Sequence, residues 1–196
     1  KELNTKLKNL QSKYISNMRF TSSYMKKTTK VSDSNAVSVI TGENAVNGVQ
    51  ELQVNKLAKT AYLTGREVKT TSGDTADALT KVMDLGSSVQ KGATITYNGE
   101  NILTVDENTT ISDVLTALKG QGLNASFDEV NQRIFVSAKE SGAASDFKLD
   151  GAGGALTALG LYTGAGATKI DGQDAEITLN GATFTSSSNV FAINGL

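Results

Sequence analysis

Between Ala93 and Ala138 the apolar positions change period twice, from two to about 3.6 and back to two, which predicts a hairpin, a helix and a second hairpin. The first run, ATITYNGENILTV, carries Asn98-Gly99 at its middle and is rich in β-branched residues. Ile95 must share a buried face with Leu103 and Val105, yet a two-residue loop would put that pair on the opposite face. The pattern therefore predicts a three-residue turn or a bulge, with Gly99 supplying positive φ. In the middle run Thr110 and Asp113 have capping-box spacing, Ile111, Val114, Leu115 and Leu118 share one helical face, and Gly120 and Gly122 end the helix. The third run aligns Leu123, Ala125 and Phe127, turns through 128–132, and aligns Ile134, Val136 and Ala138 on return. One amphipathic helix across a four-stranded sheet is expected, a small α+β unit.

Elsewhere the periods are shorter-lived. Leu3, Leu7, Leu10 and Tyr14 form the stripe of an amphipathic helix or short coiled-coil seam, predicted to end near Met18 to Phe20 because Thr21-Ser22-Ser23 is poor helix material. That stripe either packs on its own domain or is a subunit interface, and it is the candidate interface of the chain. Period two then predicts strands at 29–31, 36–41 and 49–57, with Val37 and Val39 on one face. After Gly65 the text is polar and rich in Gly, Thr and Ser, as at a crossing between domains. Residues 77–85 suggest a short helix with Leu79, Val82 and Met83 on one face, 147–149 a short strand, 155–159 a turn or two of helix, and 162–172 a linker. At 175–185 a two-residue turn does fit, because Ile177, Leu179, Ala182 and Phe184 all share a face around Asn180-Gly181. This hairpin resembles the strands before Gly65 more than the central unit. The expected organisation is thus an N-terminal helix over 1–20, a split β-rich domain over 21–65 and 167–196, and an inserted α+β domain over 66–166 that folds by itself.

Composition then removes whole classes of chemistry. The chain of 196 residues has no Cys, His, Trp or Pro, which rules out a disulfide framework, a Cys-His pair and a Ser-His-Asp triad and takes away the usual ligands of zinc and haem. No cofactor or metal is expected. Missing cysteine suits a reducing compartment, and equally a protein exported unfolded. No run of about 20 apolar residues is present to span a membrane. The chain opens on Lys1 and stops at Leu196 in strand-like text, so both ends read as cut. Net charge is −1, but the first thirty residues hold Lys1, Lys6, Lys8, Lys13, Arg19, Lys26, Lys27 and Lys30 against Glu2 alone. These lysines lack the interleaved aromatics of a single-strand binder, so a solvated face toward a neighbouring subunit is the better reading than nucleic acid.

Three weaker motifs carry little. Ser23 to Lys26 and Ser88 to Lys91 fit S-x-x-K, the spacing of a serine nucleophile and lysine base on one helical turn, but four-residue patterns of common residues arise freely and no oxyanion-hole motif accompanies them. In the glycine run 151–154, Leu156 stands where the dinucleotide motif needs its third glycine, and no P-loop lysine follows. Asp106, Asp128, Glu129 and Asp146 fall mostly in turns, where Asp bonds nearby amides, so a carboxylate-pair hydrolase has little support. No catalytic residue is assigned.

The run NGVQELQVNKLAKTAYL, 47–63, resembles the strand-and-turn signature after the N-terminal helix of the flagellar filament cap (hook-associated protein 2) family. MRFTSSYMKKTT from Met18 resembles the text that follows the long helix of that family, and GQDAEITLNGATFTSSSNVFAINGL, 172–196, resembles the start of its C-terminal region. The central run resembles a module shared among flagellar axial proteins, including variable domains of some flagellins. The resemblance implies an extracellular structural protein at the distal filament tip, with terminal helices forming a leg and β-rich head domains forming a plate. Its partners would be copies of itself and flagellin, with a host surface ligand for an adhesin-like outer domain as a further possibility, and neither nucleic acid nor membrane. It also implies export in an unfolded state. Because the family's extreme terminal helices are lacking, a head-domain fragment with a stump of the leg is expected. An outer domain of a flagellin or of a hook–filament junction protein is the alternative.

Overall fold

The computed structural model describes residues 1–16, 27–42 and 44–195. The chain divides into two compact units, one of 1–50 with 190–196 and one of 51–189. In the first unit the N-terminal helix α1, Glu2–Leu10, continues through a π-helical turn at Gln11–Ile15. Its predicted end at Met18 to Phe20 lies outside the described residues. Neither of the strands expected at 29–31 and 36–41 forms. Val37 and Val39 are half-buried and alternate with exposed neighbours as expected, but alternation reports one-sided burial and not a ladder. Backbone bonds here are local or lone, Val37 N–H to the Asp33 carbonyl at 3.2 Å and Gly42 N–H to that of Gly195 at 2.7 Å.

The second unit contains β1 (Leu52–Lys56), β2 (Thr60–Thr64), β3 (Thr94–Tyr97), β4 (Glu100–Thr104), α2 (Ile111–Gly120), β5 (Asn124–Asp128), β6 (Arg133–Ser141), β7 (Leu149–Ala152), α3 (Ala155–Ala158), β8 (Thr168–Ile170), β9 (Ala175–Leu179) and β10 (Ala182–Ser186). They form three sheets, ordered β1-β9-β10, β5-β6-β2-β8 and β4-β3-β7, all antiparallel. The single four-stranded sheet expected from the two central hairpins is therefore corrected. Each hairpin recruits other partners instead, β7 for β3 and β2 with β8 for β6. The step between sheets falls at residues 57–59, before β2, and not at Gly65. Likewise 162–172 is no linker, since it holds a 3-10 turn at Thr163–Ala165 and strand β8.

α2 follows its local text. The Thr110 hydroxyl accepts from the Asp113 amide at 3.2 Å, while the Asp113 carboxylate accepts from the Thr110 amide at 2.9 Å, so two orphan donors are satisfied reciprocally. Ile111, Val114, Leu115 and Leu118 are its buried residues. Gly122, at φ +80°, closes the C-terminus by donating to the Lys119 carbonyl. α2 and the sheets β5-β6-β2-β8 and β4-β3-β7 enclose one core whose largest buried side chains include Leu63, Ile95, Ile111, Leu118, Ile134, Leu159 and Leu161, and the β1-β9-β10 sheet contributes none of the residues of that cluster.

Both Asn-Gly turns are two-residue turns, Tyr97 facing Glu100 and Leu179 facing Ala182. In the first, the register problem is solved by the predicted bulge: Ile95 pairs with Leu103 and Thr96 with Asn101, leaving Ile102 as the extra residue. The two asparagines share a further device. The Asn98 amide donates to the Lys148 carbonyl and its Oδ1 accepts from the Lys148 amide, both at 2.9 Å; Asn180 does the same with Glu51, again at 2.9 Å. Each turn thereby clamps the third strand of its sheet with a pair of bonds that mimics one more step of ladder. The helix expected at 77–85 is mostly lost. Asp77 accepts from the Leu79 amide and the Thr80 hydroxyl, both at 2.9 Å, and Lys81 bridges to Thr110, so only Val82–Leu85 coils and Leu79 is exposed.

Candidate functional site

The predicted interface residues lie together on α1 and its π-helical extension, and all four are open to solvent: Leu3 is 73% exposed, Leu7 55%, Leu10 48% and Tyr14 60%. The helix has no buried residue. Glu2 and Lys6 pair at 3.0 Å one turn apart, a surface contact worth little by itself. The π turn, marked by the Ser16 amide donating to the Gln11 carbonyl at 2.8 Å, turns less per residue than an α-helix. It swings Ile15, which α-helical spacing leaves off the stripe, toward the face of Leu7. Ile15 is 45% exposed and extends the apolar edge; sequence spacing at a uniform period could not show it.

Chemistry elsewhere stays structural. Ser23 and Lys26 lie outside the described residues. Ser88 and Lys91 are not on a helix, and Lys91 is paired with Glu107 at 2.7 Å. In the glycine run, Gly153 and Gly154 have φ of +76° and +81°, and a Cβ on them would strike Ala93 and the Ser88 carbonyl, so they allow close chain packing. The carboxylates sit where turn chemistry placed them. The Asn108 amide and the Thr109 hydroxyl hold Asp106 below the ordinary 3.8, and the Asn131 side chain and amide do so for Asp128.

Asp146 is more than a turn cap. Burial opposes its charge, but the Lys169 ammonium at 2.6 Å and the amides of Phe147 and Gly172 outweigh that, so its pKa falls below the ordinary value. Lys169 is likewise opposed by burial, yet Asp146 and Asp171, both at 2.6 Å, raise it above 10.5. Its ammonium also lies 5.4 Å from the Phe147 ring centroid. A neutral lysine or a protonated carboxyl, which nucleophilic or acid chemistry would need, is disfavoured here. This trio is an ionic latch joining β8 to the loop after β6. Among the described residues no group of His, Cys, Asp and Glu is arranged to hold a metal ion.

Residues 1–61 match the family model described as the flagellar hook-associated protein 2 N-terminus. The fold is similar to that of the D2-D3 domains of the flagellar cap protein FliD from Serratia marcescens, with a TM-score of 0.55 and 25% identity over 79% of this chain and 86% of that one. The D1-D2-D3 domains of FliD from Escherichia coli align with a TM-score of 0.56 at 20% identity, covering 78% of this chain and 47% of that chain. FliD (HAP2) from Pseudomonas aeruginosa aligns with a TM-score of 0.54 at 22% identity, covering 79% and 73%. Among curated proteins none matches. A segment matching the hook-associated protein 2 N-terminus thus leads into a mixed α+β fold similar to that of flagellar cap protein head domains.

Proposed function

We propose that this protein is a structural subunit of a filament cap, placed at the distal tip outside the cell, where it promotes flagellin assembly through protein–protein contacts and not through catalysis. The observation that carries this reading is the apolar stripe Leu3, Leu7, Leu10 and Tyr14, fully outside the core on a helix that precedes a cap-protein fold. An exposed apolar seam is stabilised only by burial against something, and a short isolated helix is marginal in water. The stripe is the subunit interface in this proposal, its partner being the equivalent surface of another copy. Residues 66–166 form the outer part of the head, the part available to a surface ligand.

Sedimentation tests the interface. The 196-residue chain is expected to be a monomer or a weak, concentration-dependent oligomer, while a longer chain carrying the family's terminal helices assembles tightly and loses that assembly with Leu7→Glu and Leu10→Glu. A tight ring formed by the 196-residue chain and indifferent to both substitutions would move the interface to the head. Gold labelling of an epitope at the Asn98-Gly99 turn tests the location. Label along the filament shaft would favour a flagellin outer domain and would refute the cap reading.

A further inference from the structure

A cleft of about 700 Å³ opens at the start of β6, where Arg66, Lys69 and Arg133 line one space together with Glu67, Thr71 and Ser87. Three cations face one carboxylate, and that carboxylate is 3.5 Å from Lys69, so the two guanidiniums are left without an acidic partner among the described residues. Each commits one N–H to a backbone carbonyl, Arg66 to Thr157 at 2.9 Å and Arg133 to Gly65 at 2.8 Å, which fixes the side chains and leaves most of each fork free. The hydroxyls of Thr71 and Ser87 make no hydrogen bond among the described residues.

The backbone brings the two arginines together through close approaches that only glycine permits. Arg66 N–H donates to the Gly160 carbonyl at 2.9 Å. A Cβ on Gly65 would lie 2.8 Å from the Ile134 carbonyl oxygen, and one on Gly160 only 2.5 Å from that of Arg66. Two unneutralised like charges held at one cleft repel each other, and an anion between them converts that repulsion into attraction. Free guanidinium forks beside free hydroxyls offer donors whose one competing carboxylate in the lining, Glu67, is paired with Lys69 at 3.5 Å, the chemistry that suits oxyanions.

We propose that this cleft binds a tetrahedral oxyanion of the phosphate or sulfate class, either free or as an ester group on a larger molecule. The net double positive charge of the lining matches a dianion, and the planar forks grip two oxygens each. The protein as a whole carries −1, so attraction to anions is a property of the cleft and not of the overall charge.

Inorganic phosphate titrated into the 196-residue chain, followed by amide NMR against sodium chloride at equal ionic strength, tests this. Saturable shifts are expected at Arg66, Thr71, Ser87 and Arg133, and Arg66→Gln and Arg133→Gln should each weaken binding by about tenfold or more, as loss of a charge-assisted bond does. Ser87→Asp puts a carboxylate at the exposed mouth without removing any internal bond, and it should weaken binding as strongly while the protein stays folded. Displacement of phosphate by dextran sulfate would assign the site to polymer-borne groups, and failure to displace it would assign the site to the free ion. Shifts equal to those from chloride, or unchanged affinity in Ser87→Asp and Arg133→Gln, would overturn the proposal.

Discussion

Gln132 is a polar turn residue whose removal should destabilise the fold on the scale of a core truncation. It sits in the turn between β5 and β6 at φ +53°, is 7% exposed, and reaches across to Ala76, which is 3% exposed. Its Oε1 accepts from the Ala76 amide at 2.7 Å, and its Nε2 donates to the carbonyls of Ala76 at 2.8 Å and Glu129 at 2.6 Å. Gln132→Ala loses three neutral bonds at about 1 kcal/mol each, and it strands the amide and carbonyl of a buried residue that water reaches poorly. The expected cost is about 2–4 kcal/mol by urea unfolding. For a chain of this size that lowers the thermal midpoint by roughly 6–12 °C. Hydrogen exchange should localise the damage, since the Ala76 amide loses its acceptor while the Val68 amide keeps its bond to the Gln132 backbone carbonyl at 2.7 Å. Gln132→Glu sharpens the test. A carboxylate there can still accept from Ala76 but faces two carbonyl oxygens, so its folded pKa is expected to rise. A raised carboxyl contributes stability below its unfolded value, about 4.3, that is lost as pH climbs through the folded value. The variant should therefore approach the parent near pH 4 and fall away toward neutrality. A cost for Gln132→Ala below about 1 kcal/mol, or a stability difference between Gln132→Glu and the parent that does not change with pH, would refute the bridging role.

Three other expectations are independent of that one. Asp106, Asp113, Asp128, Asp146 and Asp150 all titrate below 3.8 in the folded chain, so stability they contribute at neutrality is lost as pH falls through their lowered values; Lys169 is raised above 10.5, so its share is lost as alkaline pH passes its folded value, and Asp146→Asn should flatten both ends of a midpoint-against-pH profile. Leu118→Ala, at a fully buried position, should cost about 2–5 kcal/mol in denaturant unfolding, whereas Leu79→Ala, 74% exposed, should stay within about 0.5 kcal/mol; equal effects would restore the helical face predicted for 77–85. For the inserted domain, a fragment of 66–166 omits β2, which lies between β6 and β8 and contributes buried Ala61 and Leu63, so its amide spectrum is expected to be poorly dispersed while that of 59–173 is ordered, and the reverse result would return the border to Gly65.

What the sequence showed and what it hid divide along the range of the interaction. α2 was readable in full because its box, its stripe and its closing glycine all lie within a dozen residues. The hairpins were readable as hairpins because Asn-Gly sits between their strands. Their sheets were not, since β3 takes its other partner β7 from some fifty residues on, at Lys148 and beyond, and β8 is three residues long in glycine-rich text. Gln132 and the Arg66–Arg133 cleft were missed for the opposite reason to a missing motif. A polar residue in a turn, or an arginine beside a glycine, ordinarily faces water, and only the folded chain reveals what each is aimed at.

The amphipathic pattern makes the same point in its strongest form, because the chain contains it twice with opposite outcomes. Ile111, Val114, Leu115 and Leu118 and the set Leu3, Leu7, Leu10 and Tyr14 have the same period and similar apolar content, and the first is buried while the second is exposed. Periodicity states that a face needs covering; the cover itself comes from strands β4 and β5 in the case of α2 and from nothing within the described residues in the case of α1. Burying four side chains of this size is worth several kcal/mol, roughly 1.5–3 for each one fully removed from water. That is enough to decide an assembly equilibrium and too much to leave spread along a solvent-facing helix without purpose. The uncovered apolar face of α1 is therefore the strongest physical support for assigning association to that helix, and a face that remained exposed in the assembled protein would remove it.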